Sequence, residues 1–223
     1  MSTRSAKVNF LLDLAFRVPP LLKEIDSTTT TTGPRISDTS LSENILTLKK
    51  TFEFWLKSFC TPSSRLDNKD PTASPNKPKP SIHDLTCESL CRICLLLLVS
   101  GLTDLEEKKN PTQQHFSRPS PTFNPDQYAG ELRQTASLFM RATKIPIVKA
   151  RGVSGALHFL GAYYSRVGDA KGVQWCRQLK ESVCSEAPYL SWDVMLPWSL
   201  LTLYAIPLRT TEVTLGAARE ALI

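Results

Sequence analysis

Glycine is scarce in this chain, at 9 of 223 residues, and histidine scarcer still, at three. So few glycines suit a fold built on tight β-hairpins poorly, since their turns want residues that accept positive φ. The three histidines, His83, His115 and His158, lie far apart, so no His-rich metal or acid–base cluster is spelled out. Phosphate-binding loops are missing as well. Gly161 and Gly168 are too far apart, and Lys171 is misplaced, for G-x-x-x-x-G-K-[ST], and G-x-G-x-x-G does not occur. No long uncharged run is present: the longest in the apolar stretch, Ile93 to Thr103, falls short of the ~18–20 residues a membrane span needs. The opening "MSTRSAKVNFLLDLAFRVPP" has its apolar stretch interrupted by Asp13 and lacks a small-residue cleavage site, unlike a secretory signal. Its Arg4, Lys7 and Arg17 faintly resemble a presequence, but Asp13 and Pro19–Pro20 favour an ordinary amphipathic helix.

What the chain has in plenty is proline, 16 residues. Many prolines and few glycines fit helices separated by proline-rich connectors. Hydrophobic residues make up 41% and charged residues 22%, ordinary values for a globular chain able to bury a core without staples. The expected class is all-α: an irregular helical bundle of about six to eight helices with two proline-rich linkers, read from periodicity. A single domain is expected over residues 1–223, with flexible segments near 27–40, 61–82 and 108–124.

The formal charge is +6. Arg65, Lys69, Lys77 and Lys79 against Asp67 and Asp70 give +2 between Thr61 and Ile82, and Lys108, Lys109 and Arg118 give +3 before Asn124. The two linkers thus hold most of the excess, and on this reading no helix presents the basic stripe that nucleic-acid binding wants. Direct DNA binding by the chain is not expected, and neither is a membrane partner. Six cysteines without an export signal read as reduced thiols of a cytosolic or nuclear protein.

Along the chain, Leu11, Leu14, Ala15 and Val18 share one helix face, and Pro19–Pro20 should kink that helix or begin a second at "PPLLKEI". "STTTTTGP" reads as a loop. Ser40 or Ser42 can cap a helix that carries Ile45, Leu48, Phe52, Trp55, Leu56 and Phe59. A long helix spans about His83 to Glu107. The next begins at Pro125 with Asn124 as cap, and places Tyr128, Leu132, Thr135 or Ala136, and Phe139 on one side. "ARGVSGALHFLGAYYSRVGDAKGVQWCRQLKESV" reads as an antiparallel pair, with Gly168 ending the first helix and Asp169 capping the second. Leu157, Leu160, Tyr164 and Val167 would face Val173, Cys176, Leu179 and Val183. Tyr189, Trp192, Trp198 and Tyr204 should cover helix ends, and "TEVTLGAAREALI" could add a last helix.

Half of the cysteines sit in "CESLCRIC". Cys87, Cys91 and Cys94 share one helix face, continued by Leu98 and Gly101. A structural zinc site pairs two short hooks, whereas Cys60, Cys176 and Cys184 stand alone. His83 would complete a set of four on paper, but positions i, i+4, i+8 and i+11 extend over more than ~15 Å of helix axis. Cys91–Cys94 has C-x-x-C form, yet lies inside an apolar helix rather than at the exposed helix start of a redox pair. The thiols therefore read as core. Ser154 and His158 fall four apart, without the strand–turn–helix elbow or orienting acid of a serine nucleophile. No catalytic, cofactor-binding or metal-ligating residue is expected, and the chain is read as a non-enzyme. "LGAYYSRVGD" matches the first half of a tetratricopeptide unit through Leu160-Gly161, Tyr164 and Gly168-Asp169. The small residue of that unit's second helix falls on Val173, and no second copy follows.

In series, these segments resemble the carboxy-terminal helical region of fungal binuclear zinc cluster transcription factors. The similarity is carried by "LLDLAFRVPPLLKEID", "LKKTFEFWLKSF", "CESLCRICLLLLVSGLTDL", "YAGELRQTASLFMRA", the helix pair above and "SEAPYLSWDVMLPW", about nine-tenths of the chain. In that family an amino-terminal six-cysteine cluster reads DNA, and the helical region modulates activation or contacts partners. Here the first cysteine is Cys60, within a helical segment, so no DNA-binding residue carries over. The resemblance implies an isolated regulatory region (a truncated gene, a split gene model or a stand-alone relative), a nuclear location, and protein partners from the transcriptional machinery or a second copy. The rival expectation is a cytoplasmic tetratricopeptide-like scaffold unrelated to transcription.

Overall fold

The structure is a computed structural model that describes residues 3–30, 37–59, 80–109 and 123–186. Among these the chain is all-α: α1 (Thr3–Ala15), α2 (Val18–Thr30), α3 (Ser37–Phe59), α4 (Ile82–Lys109), α5 (Pro125–Ala142), α6 (Pro146–Val167) and α7 (Ala170–Glu186). Pro19 and Pro20 do begin a second helix. They occupy the first turn of α2, where a missing N–H breaks no helical bond. The connector read near 27–40 is shorter than expected, because 27–30 finish α2 and 37–40 open α3. The Ser27 hydroxyl donates to the Glu24 carbonyl (2.8 Å) and so stays compatible with helix. α3 starts at Ser37, ahead of the caps proposed at Ser40 or Ser42. Most of the two proline-rich linkers, the aromatic stretch from Tyr189 to Tyr204 and the last expected helix lie outside the described residues.

α4 is the axis of the bundle and packs against α1, α2, α3, α5 and α6, while α7 covers α6. By length and composition α4 could cross a bilayer, with a mean hydropathy of 1.8 in its most apolar window, and here 78% of that window is buried against the rest of the chain. One hydrophobic core runs through all seven helices. Leu11, Leu14, Ala15 and Val18 of the first face are all buried, as are Ile45, Leu48, Phe52 and Trp55 of α3. The indole of Trp55 donates to the Lys7 carbonyl at 3.3 Å, which ties α3 to α1.

The later helices follow their expected signals. The Asn124 side chain accepts from the Asp126 amide (3.1 Å) with Pro125 in the first turn of α5. Gly168 closes α6 at φ 74°, a left-handed conformation that costs a glycine little. Asp169 then caps α7, accepting from the Lys171 and Gly172 amides at 3.1 Å. Two stripe residues depart from expectation: Phe59 and Val167 are 39% and 49% exposed, each the last residue of its helix, α3 and α6. The small residue of the hairpin is Gly172 rather than Val173. A β-carbon added at Gly172 would lie 2.4 Å from the Tyr164 ring, so the absence of a side chain is what lets the ring lie on α7.

Candidate functional site

The three thiols of α4 are buried, in the core positions that their spacing predicts. Cys91 donates to the Phe52 carbonyl of α3 at 3.5 Å, so it serves the packing of two helices. Burial pushes the Cys94 thiol up to about 12, far from thiolate formation at neutral pH. Cys176 on α7 is likewise pushed up by burial to about 12. Cys87 lies 3.3 Å from Nδ1 of His83, one turn earlier on the exposed start of the helix. Among the described residues no group of three or more His, Cys, Asp or Glu is arranged to hold a metal ion.

Ser154 and His158 are both buried on α6. The serine hydroxyl donates to the Arg151 carbonyl at 3.2 Å, a bond within its own helix. His158 is 4% exposed, its Nδ1 has no hydrogen-bond partner, and its ring stands edge-on to Phe159. Burial lowers its pKa and favours the neutral ring.

The densest polar chemistry lies elsewhere, in the seam between α4 and α5. Glu88 (2% exposed) and Arg92 (6% exposed) sit one turn apart on α4, inside the core. Oε1 of Glu88 accepts from Nε and Nη2 of Arg92 at 3.0 and 2.8 Å, and from the Thr135 hydroxyl of α5 at 3.3 Å. Arg92 also donates through Nη1 to Glu131 of α5, whose other oxygen accepts from Gln127 at 3.0 Å. A charge this deep persists only when paired and hydrogen-bonded, and each group here is. The signal was present in the sequence as a Glu–Arg pair at i, i+4, which spacing arguments normally assign to a solvated face. The apolar residues around it should have redirected that reading to the core.

From this seam α5 is pinned to its other neighbours by phenols. Tyr128 donates to Glu53 of α3 at 2.6 Å, and Lys49 donates to the same carboxylate oxygen at 2.9 Å. Burial alone would raise the Glu53 pKa, yet the bonds from Lys49 and Tyr128 outweigh it and the net direction is downward. Tyr163 of α6 donates to Asp126 at 2.5 Å. Burial, then the adjoining carboxylate, raises the pKa of both phenols. Arg166 of α6 meets Asp104 of α4 through two bonds, at 2.6 and 3.2 Å. These groups fix helix positions, and their lone pairs and protons face one another.

No protein-family model matches the chain, and no curated protein or solved structure matches it either.

Proposed function

We propose that the chain is a helical regulatory or interaction domain of the kind found carboxy-terminal to the DNA-reading cluster in fungal zinc cluster transcription factors. The observation that carries this reading is the correspondence between the resembling segments and the helices. "LLDLAFRVPPLLKEID" spans α1 and the start of α2, "LKKTFEFWLKSF" is the second half of α3, and "CESLCRICLLLLVSGLTDL" lies within α4. "YAGELRQTASLFMRA" lies within α5, and the helix pair is α6–α7. One core joins them all around α4, so the unit offers its outer surface to partners while its buried polar groups hold helices together. That division of labour suits a binding module rather than a catalyst. A nuclear location and partners in the transcriptional machinery belong to the same proposal.

The test is to fuse the full chain to an unrelated DNA-binding module and place a reporter gene behind its site. A change in reporter output of several-fold in either direction, with the untethered chain found in nuclei, supports the proposal. A neutral reporter together with a purely cytosolic chain sinks it. The second reading, a tetratricopeptide-like scaffold, draws on the α6–α7 hairpin, where Gly172 takes the close approach to Tyr164. A single hairpin is fewer than the ~3 repeats a solenoid needs to bury its core, so it ranks second.

A further inference from the structure

Seven large hydrophobic side chains are exposed among the described residues, and four of them are phenylalanines. Three of the four, Phe10 (45%), Phe54 (64%) and Phe59 (39%), gather around the contact between α1 and α3. That contact is fixed at Lys7, whose carbonyl accepts from the Trp55 indole and whose Nζ stands 4.8 Å over the Phe59 ring. Phe54 adjoins Trp55 in the chain. Phe10 follows Lys7 by three residues, about 4.5 Å along the helix axis. Exposed rings that cluster in this way mark a surface that binds something.

Helical phase explains why the rings point outward. Ile45, Leu48, Phe52 and Trp55 take the buried face of α3, while Lys50, Phe54 and Lys57 recur at i, i+4 and i+7 and are all exposed. Phe54 is therefore held in water between two lysines. Lys7 is exposed as well, and among the described residues none of Lys7, Lys50 and Lys57 forms an ion pair with a carboxylate. Glu53 already accepts from Lys49 and Tyr128, and Lys57 acts on it only through space. Asp13 and Arg17, both exposed, offset each other in sign where α1 ends. Glu43 stands two turns before Lys50, about 10 Å along the axis. The three phenyl rings are thus bordered by three ammonium groups that lack a carboxylate partner.

We propose that this α1–α3 face is a docking surface for an amphipathic helix of a partner protein, one that carries large apolar residues with Asp or Glu beside them. The inference rests on the interaction reading above and deepens it by naming the partner's chemistry. The rings select apolar side chains, and the lysines select acids. Lys50, Phe54 and Lys57 extend over two turns of α3, so a helix lying along them meets the series with acid, apolar and acid at the same steps. A lipid surface wants a continuous apolar face, whereas Asn9, Thr47 and Ser58 are exposed among the rings.

The experiment titrates the full chain into a fluorescein-labelled peptide of about 15 residues, with Leu/Phe and Asp/Glu set at three- and four-residue steps, and follows anisotropy. A peptide of equal charge with Ser in place of Leu/Phe, an oligodeoxythymidine and phosphatidylserine vesicles are run beside it. Saturable binding to the first peptide is expected, weakened by added salt. Lys50→Glu with Lys57→Glu should weaken it by about tenfold or more. Phe10→Ala with Phe54→Ala should weaken it about tenfold and abolish the preference over the Ser peptide. Lys144→Glu with Lys171→Glu makes the same change in net charge at the α5–α6 turn and on α7, and should leave binding within about a factor of two. Circular dichroism confirms that each variant is folded. Equal binding by the Lys50/Lys57 or the Phe10/Phe54 variant, no binding of the first peptide, or tighter binding of the DNA or the vesicles overturns the proposal. So does a chain that sediments as a dimer and becomes monomeric when Phe10 and Phe54 are replaced, since the face then belongs to a second copy. The tethered reporter does not depend on the synthetic peptide, so absent binding with an active reporter removes this face and leaves the broader reading standing.

Discussion

Gly152 offers the sharpest test of how α5 and α6 pack. A β-carbon built on it would sit 2.0 Å from Cε1 and 2.1 Å from Cζ of Phe139, where ordinary contact is 3.4–4 Å. The Phe139 ring is buried in the core, so it has no free direction in which to yield by more than an ångström. Gly152→Ala gains ~0.8–1 kcal/mol of helix propensity. The overlap falls at the upper end of the ~1–3 kcal/mol that overpacking costs. We predict a net loss of about 2 kcal/mol, read as a lowered urea midpoint at unchanged slope. Gly130→Ala is the control, since its β-carbon meets nothing within 4 Å and the propensity gain of up to ~1 kcal/mol should stand alone. Phe139→Leu should itself cost about 1–2 kcal/mol of packing. In that background Gly152→Ala should turn neutral or stabilising, a favourable coupling of about 2 kcal/mol between two residues in contact. If Gly152→Ala stabilises the parent chain as much as Gly130→Ala does, the α5–α6 approach described here is wrong.

Other predictions follow from the buried polar groups. Arg92→Leu leaves Glu88 buried without its guanidinium and should cost ~3–5 kcal/mol, whereas Glu88→Leu with Arg92→Leu should recover most of that; urea unfolding of the three variants decides it. Burial holds the His158 pKa below its ordinary value of 6.5, so the unfolded chain binds the proton more readily than the folded one. The stability it contributes is full above pH 6.5 and falls as pH drops below that value. His158→Leu should flatten the decline in unfolding midpoint between pH 7 and 5, and an unchanged profile would count against the burial. Cys94, with its thiol at about 12, should resist iodoacetamide at pH 8 until urea unfolds the chain, while half-exposed Cys184 is alkylated in the native state. Mass spectrometry of the labelled peptides reads both. Tyr128→Phe leaves Glu53 with Lys49 alone and should cost about 1–2 kcal/mol.

Much of the helical order was legible because short-range rules govern it. The Asn124–Pro125 start, the Gly168–Asp169 corner and the Leu11 to Val18 face each depend on a few neighbouring residues, and each lies where its local signal puts it. The thiol face of α4 was legible for the same reason. Boundaries set by weak signals moved: threonines following Ser27 carry no stop strong enough to end α2 before Thr30. Long-range pairings were not legible. Nothing local says that Tyr128 would find Glu53, 75 residues away, or that Arg92 would reach Glu131, 39 residues away. Such partners are chosen when helices dock, and a single sequence records only that a phenol or a guanidinium must find one.

Charge shows how a sum can hide a spatial arrangement. Assigning +5 of the +6 to the two linkers is arithmetically sound, yet it treats the helices as nearly neutral because their acids and bases cancel. Cancellation in a sum is not cancellation in space. Screening in salt acts over ~8–10 Å, so only charges brought within that range neutralise one another. The acids of α4 and α5, such as Glu88, Asp104 and Glu131, are engaged with Arg92 and Arg166 inside helix seams. Of the bases near the α5–α6 turn, Lys149 pairs with Glu186 at the end of α7. The fold thus distributes charge that composition averages, drawing acids into helix seams while several bases fall together near the α5–α6 turn. A criterion that looks for a stripe along one helix does not see this grouping. Arg141, Lys144, Lys149 and Arg151 belong to the end of one helix, a turn and the start of the next, so they share no helical face. They share a place only once α5 and α6 pack.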